Sequence, residues 1–412
     1  MEEIKADANV DDFIRFIFFP VGHGSCTLVS LPPEKPGGAR IYGVIDCHES
    51  SALPIREYLS NPWFNGEVVS KGTEFDLRFV ALTHYHEDHF LGIDHLLGGN
   101  SSFRCKKFLS PFPSAGAVAR RMKNGSIKAM LSKIQKLAPK PPNFFKIYGD
   151  LSWIYEPNDS KLKDIFKATT IAPSNSSMEK MRELYDPKAI TPFNFLSSAI
   201  RFQWERCSII IGGDVEEKEW KKIIIDLKST NQLHLLSANV ALCSHHGGRG
   251  NPDILWQRIS RCSSLHKQQC RETERRVSRT IIIVSCGNAS KKSPSKKSLQ
   301  TFFNANSLVR CTSPAKICLK LHKDKQPSCI SDNDDDMSEE LIELPPGVKL
   351  VPSGMPDFPP SVTMARNYSK FKKGSICVDI FRRRSPQIYF HNGTEAMEIT
   401  ERCSCVTKVE RR

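Results

Sequence analysis

The hydrophobic pattern is built from short apolar runs that stop at glycine, aspartate or histidine. Phe13 to Phe19 is rich in aromatic and β-branched residues and predicts a strand entering the glycine turn Val21-Gly22-His23-Gly24. A second strand follows over 25–31, and after the Pro-Gly turn at 32–38 a third, over 40–46, ends in the carboxylate of Asp46. A short helix is expected over 52–60, a buried strand over 77–83 and a helix over 90–97. Residues 115–137 predict a basic helix, with loops at 139–143 and 157–160. The runs 198–204 and 207–211 predict a hairpin ending at Gly212-Gly213-Asp214, followed by a helix over 216–227. Further strands are expected over 240–244 and 280–285, and a last hairpin pairs 376–380 with 387–390.

Composition adds limits to this meander. The hydrophobic content of 39% over 412 residues is enough for a substantial core. The polar start Met1-Glu2-Glu3-Ile4-Lys5 lacks the shape of a signal peptide, and no stretch approaches a membrane span, so a cytoplasmic chain with no membrane segment is expected. The 14 cysteines include no CxxC pair and read as reduced thiols. Net charge is +14, and residues 255–325 hold 16 Lys/Arg against 3 Asp/Glu, which fits either a phosphate-facing surface or an ordinary solvated one. Residues 326–360 are Pro-rich and acidic, with Asp332, Asp334, Asp335, Asp336, Glu339 and Glu340 close together, and predict an extended or disordered insert.

The chemistry concentrates at Thr83-His84-Tyr85-His86-Glu87-Asp88-His89, delivered by the end of a buried strand. Imidazoles and carboxylates converging at a stiff strand end are what a hydrolytic metal site requires. Alternation puts His84 and His86 on one side, able to share a first ion, while Asp88 and His89 open the next helix and can turn to a second. Asp214 follows two glycines at another strand end, where its carboxylate can bridge two ions. His245 and His246 sit at a third, and in an extended segment adjacent side chains point opposite ways, so one of them at most is expected as a primary ligand. His95 is expected to face solvent or core. For His23 the glycine turn is itself a sufficient explanation, though a place near the pocket with Asp46 is the alternative.

In this order the pieces resemble the metallo-β-lactamase superfamily, and more narrowly the soluble hydrolase domain of the ComEC/Rec2 DNA-uptake proteins. The likeness rests on Val21-Gly22-His23-Gly24-Ser25, the strand ending in Asp46, the histidine cluster, the polar run 194–198, Gly213-Asp214, His245-His246-Gly247 and the hairpin at 374–390. It implies an α/β fold, a four-layer αββα sandwich spanning 13–311 with an insertion at about 100–190. Residues 312–373 would be a second insert, 374–392 a hairpin completing the domain and 393–412 a tail. It also implies two divalent ions, zinc or manganese, on His84, His86, Asp88, His89 and Asp214, with one of His245 and His246 completing the set. No histidine lies between His95 and Asp214, so the ligand that many superfamily members place there is missing, and Asn194, Ser197 and Ser198 stand in that region. Where the family has a Tyr-Gly-His-Pro-like segment this chain has Lys291-Lys292-Ser293-Pro294, which loses a histidine and gains lysines able to meet phosphate charge.

The expected function is metal-dependent hydrolysis of a phosphodiester, with DNA first and RNA or a cyclic nucleotide second. Asp88, His245, His246, Lys291 and Lys292 are the candidate catalytic groups. Two alternatives share the fold: an effector or binding component of a multi-protein assembly, such as a bacterial antiviral defence module, with its inserts serving protein partners, and hydrolysis of a carbonyl compound.

Overall fold

The computed structural model describes residues 13–19, 21, 24–35, 38–48, 52–59, 74–97, 103–111, 119, 125–137, 144–183, 193–205, 207–248, 251–252, 255–256, 259, 280–285, 295, 298, 301, 308–311, 348–350, 375–381, 387–391 and 396–399. His23, Lys291 and Lys292 lie outside the described residues, as do most of the basic stretch 255–325 and nearly all of the insert 312–373.

In chain order the first strands are β1 (Phe13–Phe18), β2 (Cys26–Leu31), β3 (Ile41–Cys47), β4 (Phe75–Ala81), β5 (Phe103–Cys105), β6 (Phe108–Ser110) and β7 (Phe144–Lys146). The second group is β8 (Phe166–Ala172), β9 (Ala199–Trp204), β10 (Cys207–Ile211), β11 (Val240–Leu242), β12 (Ile281–Val284) and β13 (Leu308–Cys311). The last is β14 (Val348–Leu350), β15 (Ser375–Phe381), β16 (Gln387–His391) and β17 (Ala396–Ile399).

They form two sheets. One runs β14-β17-β16-β15-β1-β2-β3-β4-β6-β7, with β5 also pairing β4, and the other runs β13-β12-β11-β10-β9-β8. The C-terminal hairpin forms as expected, with Ile376 opposite Phe390, and docks through β15 on β1. Residues 100–190, read from the sequence as an insertion, supply β5 to β7 to the first sheet and β8 to the second. The stretch 393–412, read as a tail, contributes β17, which pairs both β16 and β14. Of these added strands β5 to β7 are three residues long each, and β8 mixes lysine and threonine into its run.

The period of two along each strand sorts the core into layers. Ile14, Phe16 and Phe18 join Ile209, Ile211, Phe202 and Trp204 in a cluster between the sheets, where Phe16 and Phe202 meet edge to face at 5.4 Å. Ile17, Phe19, Leu28 and Val44 face the other way and pack with α1 (Ala52–Leu59), α2 (Glu87–Phe90), α3 (Ile93–Leu96) and α4 (Gly125–Leu137) through Tyr58, Phe90, Ile93 and Leu131. Two short helices follow, α5 (Ser160–Ile165) and α6 (Asn175–Glu183). On the far face of the second sheet, Ile210, Ala241 and Ile282 are covered by Trp220, Ile223 and Ile224 of α7 (Glu217–Ser229) and by Trp256. The result is helix, sheet, sheet, helix: a four-layer αββα sandwich, the architecture that the sequence resemblance implies. No helix among the described residues is long and apolar enough to cross a membrane.

One expected helix is broken. The run 90–97 splits into α2 and α3 because Gly92 presses on the end of β3: its amide donates to the Cys47 carbonyl at 2.8 Å, and a Cβ there would lie 2.7 Å from Cys47 Sγ.

Candidate metal centre

Each sheet brings two neighbouring parallel strands to the same edge. β3 and β4 are parallel in the first sheet, and β10 and β11 in the second, so their carboxyl ends open on one crevice. From β3 comes Asp46, from the loop after β4 His84, His86, Asp88 and His89, from the turn after β10 Asp214, and from the turn after β11 His245 and His246. All seven candidate ligands in the described chain therefore reach one place. His95 stays outside it, exposed on α3.

Two groups of donor atoms form. His84, His86 and Asp214 make one, Asp88, His89 and His246 the other, and within each group the ligand atoms lie no more than 4.8 Å apart. Asp214 joins them: its Oδ2 lies 3.7 Å from His84 Nε2, while its Oδ1 lies 3.2 Å from His89 Nε2 and 3.8 Å from His246 Nε2. Asp88 Oδ2 is 3.1 Å from His246 Nε2. A carboxylate with one oxygen toward each group is the bridging geometry of a two-ion site.

The other ring nitrogens are held from behind. His89 Nδ1 donates to Asp46 Oδ2 at 2.7 Å, and His246 Nδ1 to the Ser285 carbonyl at 3.0 Å. Thr83 Oγ1 donates to Asp46 Oδ2 at 2.8 Å and lies 3.1 Å from His84 Nδ1, whose proton it accepts. Protons fixed on Nδ1 leave Nε2 lone pairs directed into the site, the tautomer that metal ligation needs. Asp46 itself is saturated, since its Oδ1 accepts the Thr83 amide at 2.7 Å. Ser197 also supports the site: its Oγ accepts the Asp214 amide at 2.7 Å and lies 3.4 Å from His84 Nδ1. Of these supports only Asp46 and Ser197 were visible as candidates in the sequence. Thr83 and Ser285 act through strand-end placement, for which their residue type carries no signal.

Burial and mutual charge act together on these groups. Burial, with the neighbouring His89, holds His84 well below the ordinary imidazole range, and burial lowers His86 as well. Burial also opposes charge on His89, but Asp214 and Asp46 outweigh it and hold that ring well above its ordinary value. Burial would raise Asp214, and His89 and His246 overcome it, leaving the carboxyl well below its usual range. Asp88 is likewise lowered against its burial, by His246 and His89. His84 Nε2, His89 Nε2 and Asp214 Oδ1 are buried with no hydrogen-bond partner among the described residues. Buried polar atoms left this way are costly, and here they face one another in a donor set of imidazole and carboxylate without thiolate. The residues fit divalent metal.

The expectation that the two adjacent histidines diverge is corrected by the backbone. His245 and His246 both adopt left-handed conformations, at φ 51°, ψ 47° and φ 50°, ψ 29°, inside a tight turn rather than an extended segment. His246 joins the second group, while His245 Nε2 lies 4.0 Å from Asp214 Oδ2 on the side of the first.

No protein-family model matches the chain, and no curated protein matches it. Forty-four chains of solved structures do. The Zn²⁺-bound PqqB from Methylobacterium extorquens is 10% identical, over 69% of this chain and 85% of that one, with a TM-score of 0.33. A variant of the CmlA beta-hydroxylase is 9% identical over 73% of this chain, with a TM-score of 0.32, and this chain spans about half its length (52%).

Proposed function

We propose that this protein is a two-metal hydrolase that cleaves phosphodiesters, with nucleic acid as its substrate. The observation that carries the hydrolase reading is Asp214, buried between two donor groups with one carboxylate oxygen turned to each. The phosphodiester reading is supported by the charge of +14, by the excess of 16 Lys/Arg over 3 Asp/Glu in residues 255–325, and by the sequence likeness to the ComEC-type hydrolase domain.

His84, His86 and Asp214 would hold one ion and Asp88, His89, His246 and Asp214 the other. Bound there, two divalent ions supply Lewis acidity and a water acidified to near neutrality. The chain's own residues do the rest. Asp46 and Ser285 lock the imidazoles from behind, so that the ligand nitrogens need no reorganisation. Asp88 is the site carboxylate that reaches solvent, its side chain 22% exposed against 4% for Asp214 and 1% for Asp46, so it is placed to orient the attacking water by accepting a hydrogen bond from it. Its lowered proton affinity keeps it an acceptor at neutral pH. Lys291 and Lys292 belong to the proposal as groups that offset charge on the phosphate.

The test is metal analysis of the purified protein, then incubation with single- and double-stranded DNA, RNA and bis-p-nitrophenyl phosphate in Mn²⁺ or Zn²⁺. Cleavage of at least one, abolished by Asp88→Ala or His86→Ala in folded protein, is expected. Bound metal without cleavage of any of them overturns the phosphodiester assignment.

A further inference from the structure

The first donor group, with His84 and His86 as its imidazoles, is one short of the second in reach around Asp214 unless another side chain joins it. We infer that His245 is that side chain: both members of the His245-His246 pair ligate, one to each ion, and His245 replaces the histidine that the stretch between His95 and Asp214 does not supply. The inference rests on the two-metal reading above and assigns both members of a pair of which the sequence pattern expects one at most, His245 lying outside the tight donor groups.

The geometry comes from the turn after β11. Two consecutive residues in the left-handed region turn the chain as a helix of opposite hand would, which projects successive side chains at roughly a right angle instead of across the strand. The two imidazoles thereby straddle one carboxylate. His245 Nε2 approaches Asp214 Oδ2, the oxygen that His84 faces, and His246 Nε2 approaches Asp214 Oδ1, the oxygen that His89 faces.

Non-glycine residues rarely adopt positive φ, and a pair in succession persists only where the surroundings impose it. Here they do. The His245 amide donates to the Gly213 carbonyl at 2.9 Å, tying the turn directly to the loop that carries Asp214. Asn251 Nδ2 donates to the Ser244 carbonyl at 3.0 Å and the Gly248 carbonyl at 3.2 Å, bracketing the turn from outside. His245 differs from His84, His89 and His246 in that its buried Nδ1 has no hydrogen-bond partner among the described residues, so the backbone turn alone sets the ring's direction. Placement in the first group also accounts for Ser197. With its Oγ on the Asp214 amide it fills the region of the missing histidine, and the ligand arrives from β11 instead.

The experiment counts ions and measures each affinity, independently of catalysis. Wild type, His245→Asn, His86→Ala and His246→Ala are stripped with chelator, titrated with Zn²⁺ against a chromophoric competitor, and reloaded with Co²⁺ for visible spectra. Asparagine accepts the left-handed conformation and keeps the fold, which far-UV circular dichroism checks. Expected are two ions in the wild type, and in His245→Asn a loss of at least about tenfold for one ion only, the scale seen when even an outer partner of a ligand is removed. The Co²⁺ spectrum should change at the site that His86→Ala also perturbs, and not at the one that His246→Ala perturbs. Unchanged affinities and spectra in His245→Asn overturn the inference, as does a change confined to the His246 site. A wild type that binds no metal overturns the two-metal reading instead.

Discussion

Replacing Asp46 by asparagine tests how far the support behind the ligands determines metal affinity. The side chain is 1% exposed and fully engaged: Oδ1 accepts the Thr83 amide at 2.7 Å, and Oδ2 accepts Thr83 Oγ1 at 2.8 Å and His89 Nδ1 at 2.7 Å. Asparagine matches its shape but must turn an NH₂ toward one of these donors. Facing Thr83 it collides with an amide that cannot turn away. Facing His89 it demands that Nδ1 become an acceptor, which moves the ring proton to Nε2, the atom that has to ligate. Either outcome weakens the second ion by about 10–100-fold, or roughly 1.4–2.7 kcal/mol, with a smaller effect on the first through Thr83 and His84. In metal-free protein the raised His89 value adds a pH signature. That ring's contribution to stability is fully present below the unfolded value of about 6.5 and is lost as pH rises through the raised one, so the Asn variant is destabilised most at the acid end. Competition titration with Zn²⁺ and chelator, together with urea melts of the stripped protein across pH, reads both. A second-ion affinity within about twofold of wild type would refute the argument that Asp46 sets the His89 tautomer.

Gly213 sits at φ +50°, and a Cβ there would lie 2.6 Å from both Ser197 Oγ and the Ser198 carbonyl, so Gly213→Ala is expected to displace Asp214 and cost metal affinity before it costs fold, as measured by zinc content of the folded fraction. Gly43→Ala drives a methyl into the ring of Phe79 beneath β3 and should destabilise by about 1–3 kcal/mol in urea melts, with metal bound normally in the protein that remains folded. Burial pushes the Cys105 thiol up to about 12 and the Cys207 thiol up to about 11, so neither should be alkylated by iodoacetamide at pH 8 in native protein, while both react after denaturation, as peptide mass spectrometry would show. Zn²⁺ binding should release protons, because the imidazolium on His89 gives way to metal; calorimetry in buffers of different ionisation enthalpy detects it.

The parts of the site legible in the sequence are those where an apolar run ends abruptly in a ligand. His84 to His89 after β4 and Asp214 after β10 stand out because the strand before each is apolar and its end is marked. His245 and His246 were located by the same signal, but their directions were not, since two left-handed residues in succession depend on bonds from Gly213 and Asn251 that form only in the folded chain. The layering followed from alternation in β1, β9 and β10, whereas β5 to β8 escaped notice: three of them are three residues long, and Phe166–Ala172 mixes lysine and threonine into its run. Strand β17, Ala396–Ile399, is stabilised by pairing with β16 and β14 more than by its own composition.

The pairing of β1 with β15 has a consequence for how the molecule is made. Phe13 meets Phe381 across that ladder, so β1 leaves the ribosome long before the strand it pairs with. Until then β1 can lean on β2 alone, and its apolar far edge is open to any other extended chain. The ends of β3, β4, β10 and β11 are all synthesised by residue 246 and their supports Asn251 and Ser285 soon after, so the metal crevice can assemble while that edge is still bare. Biogenesis of this protein would then pass through a nascent species already able to capture metal yet still prone to self-association, in which a chaperone would protect a single strand edge and leave the chemistry alone.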